Sequence, residues 1–234
     1  MSVALITGAS KGFGHALARA LAARGWTLVV DARTAGDLDH AVAQLDRIGA
    51  AAVDAVPGDV ADPAHRAELV SAVRRHGRLD LLVNNASALG PSPLPALDRY
   101  PLDELERVYQ VNVFAPLALT QLLLPDLLAA RGALVDVSSD AAVEAYEGWG
   151  GYGSAKAALD HLTAVLGAEQ PSIRAYAFDP GDMRTDMHQQ AFPGEDISDR
   201  PEPVTVVPAL LRLLDERLPS GRYRAADLLT PAVA

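Results

Sequence analysis

Tyr152 and Lys156 stand four residues apart in the segment YGSAK, and on a helix that spacing puts a phenol and an ammonium group on one face. A tyrosine with its ordinary pKa of about 10 is a poor base near neutral pH. A cation about 4 Å away contributes roughly 4 kcal/mol at an effective dielectric of about 20, or about three pK units. General acid–base chemistry by a phenol requires a shift of that size. Ser139 closes the segment VDVSS thirteen positions before Tyr152. Its hydroxyl suits a hydrogen bond to a substrate oxygen on which charge develops. Ser138, its neighbour, competes for the role.

A second cluster lies near the start of the chain. Residues 7–14 read TGASKGFG, between an apolar run and a segment of helical spacing. A pyrophosphate needs bare backbone N–H groups at a helix N-terminus, where the dipole also favours negative charge. Gly8 permits the tight turn, Gly12 lets phosphates approach the backbone, and Gly14 lets the helix sit close to a sheet; Ser10, Lys11 and Phe13 complete the turn. The spacing is G-x-x-x-G-x-G, not the more familiar G-x-G-x-x-G. The next apolar run ends in VVDAR. A carboxylate at that edge binds free ribose hydroxyls, whereas an arginine accepts a 2′-phosphate. Asp31 and Arg33 compete for this position, and Lys11 adds a cation nearby. Two cations against one carboxylate favour NADP, with NAD as the alternative.

These residues need a frame, and the chain supplies one by alternation. Apolar runs at 3–7, 27–30, 51–56, 79–83, 134–137 and 173–178 are separated by amphipathic stretches near 13–24, 35–48, 63–76, 103–130 and 152–169. Runs without polar alternation suit strands buried on both faces, and intervening helices imply right-handed crossovers. The pattern predicts an α/β fold: a doubly wound parallel sheet, completed by a helix near 203–217 and a short strand near 222–229. Two loops rich in chain breakers, 90–95 and 193–203, follow strands at the carboxyl edge, where ligands of such sheets bind.

TGASKGFG, NNAS (84–87), VDVSS (135–139), YGSAK (152–156) and PGDMRT (180–185) occur in that order. Their order and spacing resemble the short-chain dehydrogenase/reductase family over residues 3 to about 229. The resemblance implies a Rossmann-type sheet of about seven strands with helices on both faces. It implies hydride transfer between a nicotinamide cofactor and a small-molecule carbonyl or alcohol, by Asn112, Ser139, Tyr152 and Lys156. Asn112 matches a helix asparagine that holds a water in a proton relay to the lysine; read alone, a mid-helix asparagine is a kink or a packed amide. Lys156 gains a second task on the ribose hydroxyls. Asp59 and Val60 match the pair at the adenine ring, and Asn85 and Ala86 the ribose-side turn. Thr185 matches the hydroxyl that binds the carboxamide, with Pro180 and Gly181 shaping the turn; an isolated threonine there would be a helix N-cap. Two departures stand out. Ser87 occupies a frequent glycine position, and Asp140 puts a negative charge beside Ser139. The tail also lacks the usual glycine-rich ending.

Composition bounds the remaining classes. The chain has 234 residues, 50% of them hydrophobic, a formal net charge of -10 and no cysteine. One domain over 1–234 accommodates this, with substrate loops at about 86–100, 140–151 and 183–203. The acidic balance disfavours nucleic acid. No stretch of about 20 apolar residues is evident, so no membrane partner is expected. The start, MSVALI, lacks the basic region and cleavage site of a secretory signal, and cytoplasmic residence is expected. The six histidines show no metal-ligand spacing, so no metal is expected, and most should be solvated helix residues. No G-x-S-x-G elbow surrounds Ser139, which removes a hydrolase triad. A cofactor-binding scaffold without turnover, and an epimerase or dehydratase using bound nicotinamide, are the alternatives. Tyr146, Trp149, Met183, Met187, Phe192 and Ile197 suggest an apolar or aromatic substrate. Broad apolar faces near 103–130 and 152–169 predict a homodimer or homotetramer.

Overall fold

Strand β1, Val3–Ile6, is buried at every position, as its unbroken apolar sequence requires. Its side chains alternate between two helix layers, following the two-residue period of a strand. Ala4 and Ile6 join a core with Leu17 and Leu21 from α1 (Gly12–Ala23), Leu38 and Leu45 from α2 (Ala35–Ile48), and Leu210 and Leu213 from α8 (Pro203–Asp215). Leu5 joins the opposite core with Leu69 and Val73 from α3 (Pro63–Arg75) and Leu119, Leu123 and Leu127 from α5 (Ala115–Ala130). β2 (Thr27–Ala32), β3 (Ala52–Pro57), β4 (Leu81–Asn84), β5 (Ala133–Val137), β6 (Arg174–Asp179) and β7 (Gly221–Arg224) complete a seven-stranded sheet in the order β3-β2-β1-β4-β5-β6-β7. Every pairing is parallel. This is the Rossmann-type doubly wound sheet. The order reverses between β1 and β4, which opens a crevice at their carboxyl ends. This computed structural model describes residues 1–229; residues 230–234 of the expected domain lie outside it.

The structure corrects the sequence reading at several points. The expected strand near 222–229 is strand only over Gly221–Arg224 and then turns into α9, Ala225–Leu229. The single helix expected over 103–130 is α4 (Leu102–Tyr109), a π-helical turn (Gln110–Phe114) and α5. That run reaches a mean hydropathy of 1.7 over an 18-residue window, so an apolar stretch of membrane-spanning length is present by composition. Its inward leucines pack on the sheet, as in the core helix of a globular domain. Four of the six histidines are not buried, in keeping with the expectation for most of them; His65 and His188 are buried. A short helix, α7 (Asp186–Ala191), follows Thr185 inside a region read only as loop. α6 (Gly150–Glu169) carries Tyr152 and Lys156.

Candidate active site

A cleft of about 650 Å³ runs along the carboxyl edge of the sheet, from Arg33 and Asp59 at one end to Trp149 and Met187 at the other. Gly8, Ser10, Lys11, Gly12, Phe13, Val60, Asn85, Ala86, Ser139, Tyr152, Lys156, Pro180, Gly181 and Thr185 line it. Gly14 and Asn112 do not; both are buried behind its wall. Gly8 has φ +65°, and a Cβ there would lie 2.9 Å from the Ala86 Cα. At Gly14 a Cβ would lie 2.7 Å from the Gly8 carbonyl oxygen. Any larger residue at either position would force the turn away from the sheet. The turn therefore stands against β4 and presents the N-terminus of α1 to the cleft, a cradle that fits a pyrophosphate.

At the end of β2 the two competing residues separate. Asp31 is only 1% exposed. Its carboxylate accepts the Gly8 N–H at 2.6 Å and hydrogen-bonds His65 Nε2 at 3.0 Å. Burial pushes its carboxyl above the usual range, and the bonds to His65 and Gly8 oppose that. Arg33 is exposed and forms no ion pair among the described residues. Lys11 is less free than its sequence position suggests, since Asp37 and Asp186 lie 3.2 and 3.6 Å from its ammonium.

At the other end Ser139, Tyr152 and Lys156 converge, but not through a phenol–ammonium contact. Lys156 Nζ donates to the Val137 carbonyl at 2.7 Å and lies 5.5 Å from the Tyr152 ring centroid. Burial dominates both groups. It pushes the Tyr152 phenol well above its ordinary value, against its hydrogen bonding with Ser87 and Ser139, with Asp140 adding to the rise. It lowers the Lys156 ammonium to about 8, against the charges of Asp136 and Asp160. The lysine-driven fall expected for the phenol is therefore absent here; removal from water outweighs a cation held under the ring.

Asn112 sits in the π-helical turn and is fully buried. Its Oδ1 accepts from Ala88 N (2.8 Å) and Ser87 Oγ (3.1 Å), and its Nδ2 donates to Ala88 O (2.8 Å). The amide is thus packed against the strand-end segment 87–88. Ser87, at the position read as a departure, links Asn112 to the phenol. Ser139 Oγ donates to Asp140 Oδ1 at 3.0 Å and accepts from Ala141 N at 3.2 Å. Asp140 therefore faces the serine. Ser138 is buried, its hydroxyl 3.4 Å from the Ser139 carbonyl. Thr185 caps α7, accepting from His188 N at 3.2 Å, as an isolated threonine would; its own hydroxyl proton stays available to the cleft.

Sequence reasoning missed Arg222. From β7 its guanidinium donates to Asp160 Oδ2 on α6, to Asp179 Oδ2 at the end of β6 and to the Ser139 carbonyl, each at 2.9 Å. Asp179 in turn accepts the Gly181 N–H at 3.0 Å. One side chain thus ties together the serine turn, the Tyr–Lys helix and the Pro180–Gly181 turn. No local motif marks it; only the parallel register of Ala177 with Arg222 brings it there.

Known proteins with the same layout share this arrangement of elements. The short chain dehydrogenase family model matches residues 2–196. Mouse (Mus musculus) sepiapterin reductase is 36% identical over 206 residues, covering 81% of this chain and 77% of that protein. Benzil reductase ((S)-benzoin forming) of Saccharomyces cerevisiae is 32% identical over 240 residues, covering 99% of this chain and 86% of the relative. A short chain dehydrogenase of Shigella flexneri 2a, solved in complex with NADP, superposes with a TM-score of 0.90 at 29% identity, over 96% of this chain and 97% of that one. With the glycine turn, the seven-stranded parallel sheet and the Ser–Tyr–Lys cleft in place, the chain belongs to the short-chain dehydrogenase/reductase family and is an NAD(P)-dependent oxidoreductase.

Proposed function

We propose that the protein is an NADPH-dependent ketone or aldehyde reductase whose working groups are Ser139, Tyr152, Lys156 and Asn112. One observation carries this reading: the Tyr152 phenol faces the same cleft as the Ser139 hydroxyl, with a buried ammonium beneath its ring. A protonated phenol is a proton donor at neutral pH, and carbonyl reduction needs one. The glycine turn would hold the pyrophosphate, Asp59 and Val60 the adenine, Asn85 and Ala86 the ribose side, and Thr185 the carboxamide. Bound nicotinamide supplies the hydride; the chain supplies orientation and the proton.

The substrate oxygen lies between the Ser139 and Tyr152 hydroxyls. Ser139 has a single proton, shared with Asp140 before substrate enters. Turning it to the substrate oxygen leaves Asp140 with the Ala141 N–H (2.8 Å) and the Tyr146 O–H (3.0 Å). Tyr152 passes its proton to that oxygen as negative charge builds there. Ser87, turning its proton from Asn112 Oδ1, and the Lys156 ammonium then stabilise the phenolate. Lys156, lowered to about 8, is near enough to neutral pH to return a proton to the site. Asn112 acts through Ser87 and the 87–88 backbone.

Trp149, Met187 and Phe192 pack around Tyr152, which suits an apolar or aromatic body on the carbonyl. Assembly as a homodimer or homotetramer is supported by Phe114, Leu122 and Val165, which are exposed on the long helices. The test is a panel of ketones, aldehydes and alcohols assayed with NADPH and NADH. Carbonyl-dependent oxidation of NADPH is expected, faster than with NADH. Tyr152→Phe should lose turnover by about 100-fold or more while NADPH affinity, read by fluorescence titration, stays nearly intact. Unchanged turnover in that variant removes the phenol from the chemistry.

A further inference from the structure

We infer that the substrate end of this cleft accepts uncharged or cationic carbonyl compounds and turns anionic ones away, and that Asp140 sets the preference. The inference rests on the reductase reading above and names its substrate class. Asp140 opens a single 3-10 turn directly after Ser139. Its Oδ1 accepts from Ser139 Oγ (3.0 Å) and Ala141 N (2.8 Å), and its Oδ2 from the Tyr146 hydroxyl (3.0 Å). All three donors are neutral. They fix the carboxylate in the cleft wall without cancelling its charge.

Nothing nearby neutralises it. Among the described residues Asp140 forms no ion pair; Arg33, the unpaired cation of the cleft, stands at its far, cofactor end, and the other cations are engaged elsewhere. Lys11 lies between Asp37 and Asp186 at the cofactor end. Arg107 pairs with Glu104 at 3.3 Å. The Lys156 ammonium faces the Val137 carbonyl beneath the phenol and is balanced by Asp136 and Asp160. Arg222 is divided between Asp160 and Asp179. His188 points to Asp182 at 3.7 Å. Asp182, itself exposed, adds negative charge on the same side, since both it and Asp140 push the Tyr146 phenol up.

The field of Asp140 is felt where the chemistry happens, because its charge also raises the Tyr152 phenol. An anionic substituent on the substrate would enter a partly desolvated cleft already holding an unpaired like charge, where Coulomb repulsion is far larger than in water. Leu89, Trp149 and Met187 line the same end of the cleft and offer apolar contact. Discrimination against anions is thus built into the wall beside the serine. Asp140 also disfavours negative charge on the substrate oxygen itself. That effect is common to all carbonyl substrates and cancels in a ratio between them.

The test compares three para-substituted acetophenones with NADPH: the benzoate ester, its free carboxylate and the aminomethyl compound. In the wild type, kcat/KM for the ester and for the ammonium compound should exceed that for the carboxylate by about tenfold or more. Asp140→Asn should narrow the ester-to-carboxylate ratio at least threefold (about the effect of one removed unit charge). Tyr146→Phe keeps the charge and should keep the ratio. If Asp140→Asn fails to fold, added salt must narrow the wild-type ratio in its place. Equal kcat/KM for ester and carboxylate in the wild type overturns the inference. A wild-type preference that survives in a folded Asp140→Asn variant removes Asp140 as its source. Absence of any turnover of the neutral ester with either cofactor sinks the reductase reading instead, and this inference with it.

Discussion

Asp31 and Arg33 are two residues apart in sequence, yet they face different environments. Asp31 is held inward by Gly8 and by His65, which lies 34 positions later on α3. No local pattern announces that partner, so sequence alone left both residues as candidates for the ribose edge. With the carboxylate engaged inside the fold, the exposed Arg33 is the group free to meet a 2′-phosphate. Charge-assisted hydrogen bonds of this kind contribute about 1.5–3 kcal/mol. Arg33→Ala should therefore weaken NADPH binding by about 10- to 100-fold and leave NADH binding nearly unchanged. Titration of both cofactors into the variant checks this; equal weakening would assign the preference to the fold or to Asp31. The Tyr152–Lys156 spacing was legible because a helix fixes it. The path of the lysine was not, because its Nζ is drawn to the Val137 carbonyl of β5, a contact that exists only after the sheet forms.

Among the elements, those with strong periodicity were the readable ones. The apolar runs of β1, β2 and β6 and the breakers beside them place those strands within a residue or two. The π-helical turn at Gln110–Phe114 was hidden, since a one-residue widening leaves the apolar spacing almost intact while it brings Asn112 against Ser87 and Ala88. β7 was blurred for a different reason. As an edge strand of four residues it runs straight into α9, and its sequence carries Arg222 in place of an apolar run. That arginine joins three elements around the site, and its removal leaves Asp179, only 3% exposed, without its counter-charge. Uncompensated buried charges of this type cost about 3 kcal/mol or more. Arg222→Met should lower stability by about that amount and lower kcat at least about tenfold, equivalent to about 1.4 kcal/mol on the barrier. Arg222→Lys should recover part of both. Added guanidinium ion should raise kcat of the methionine variant and not of the wild type. A variant that loses stability but keeps its kcat would confine Arg222 to holding the sheet edge.

On the scale of the whole molecule, a formal charge of -10 sits mostly outside a sheet whose centre nevertheless contains ionisable groups. Asp136, near the carboxyl end of β5 and 3% exposed, accepts from Asn84 Nδ2 at 2.7 Å and Thr163 Oγ1 at 2.6 Å. Those bonds and the nearby Lys156 do not offset burial, which raises its carboxyl to about 6. In the unfolded chain the same group titrates near 4. The folded state therefore binds this proton more tightly, and stability falls as pH rises from about 4 through about 6. A shift of about two units corresponds to roughly 3 kcal/mol. Other carboxylates, paired or exposed, pull acid stability the opposite way, so only a difference between proteins isolates the term. Asp136→Asn removes the titrating group and keeps an acceptor for Asn84. Relative to the wild type, the variant should gain as much as about 3 kcal/mol on going from pH 4 to pH 7, measured by urea unfolding at fixed ionic strength. An equal difference at the two pH values would mean that Asp136 is ionised alike in both states. The charge beneath the Tyr152 ring would then be balanced without the cost to the fold that burial imposes here.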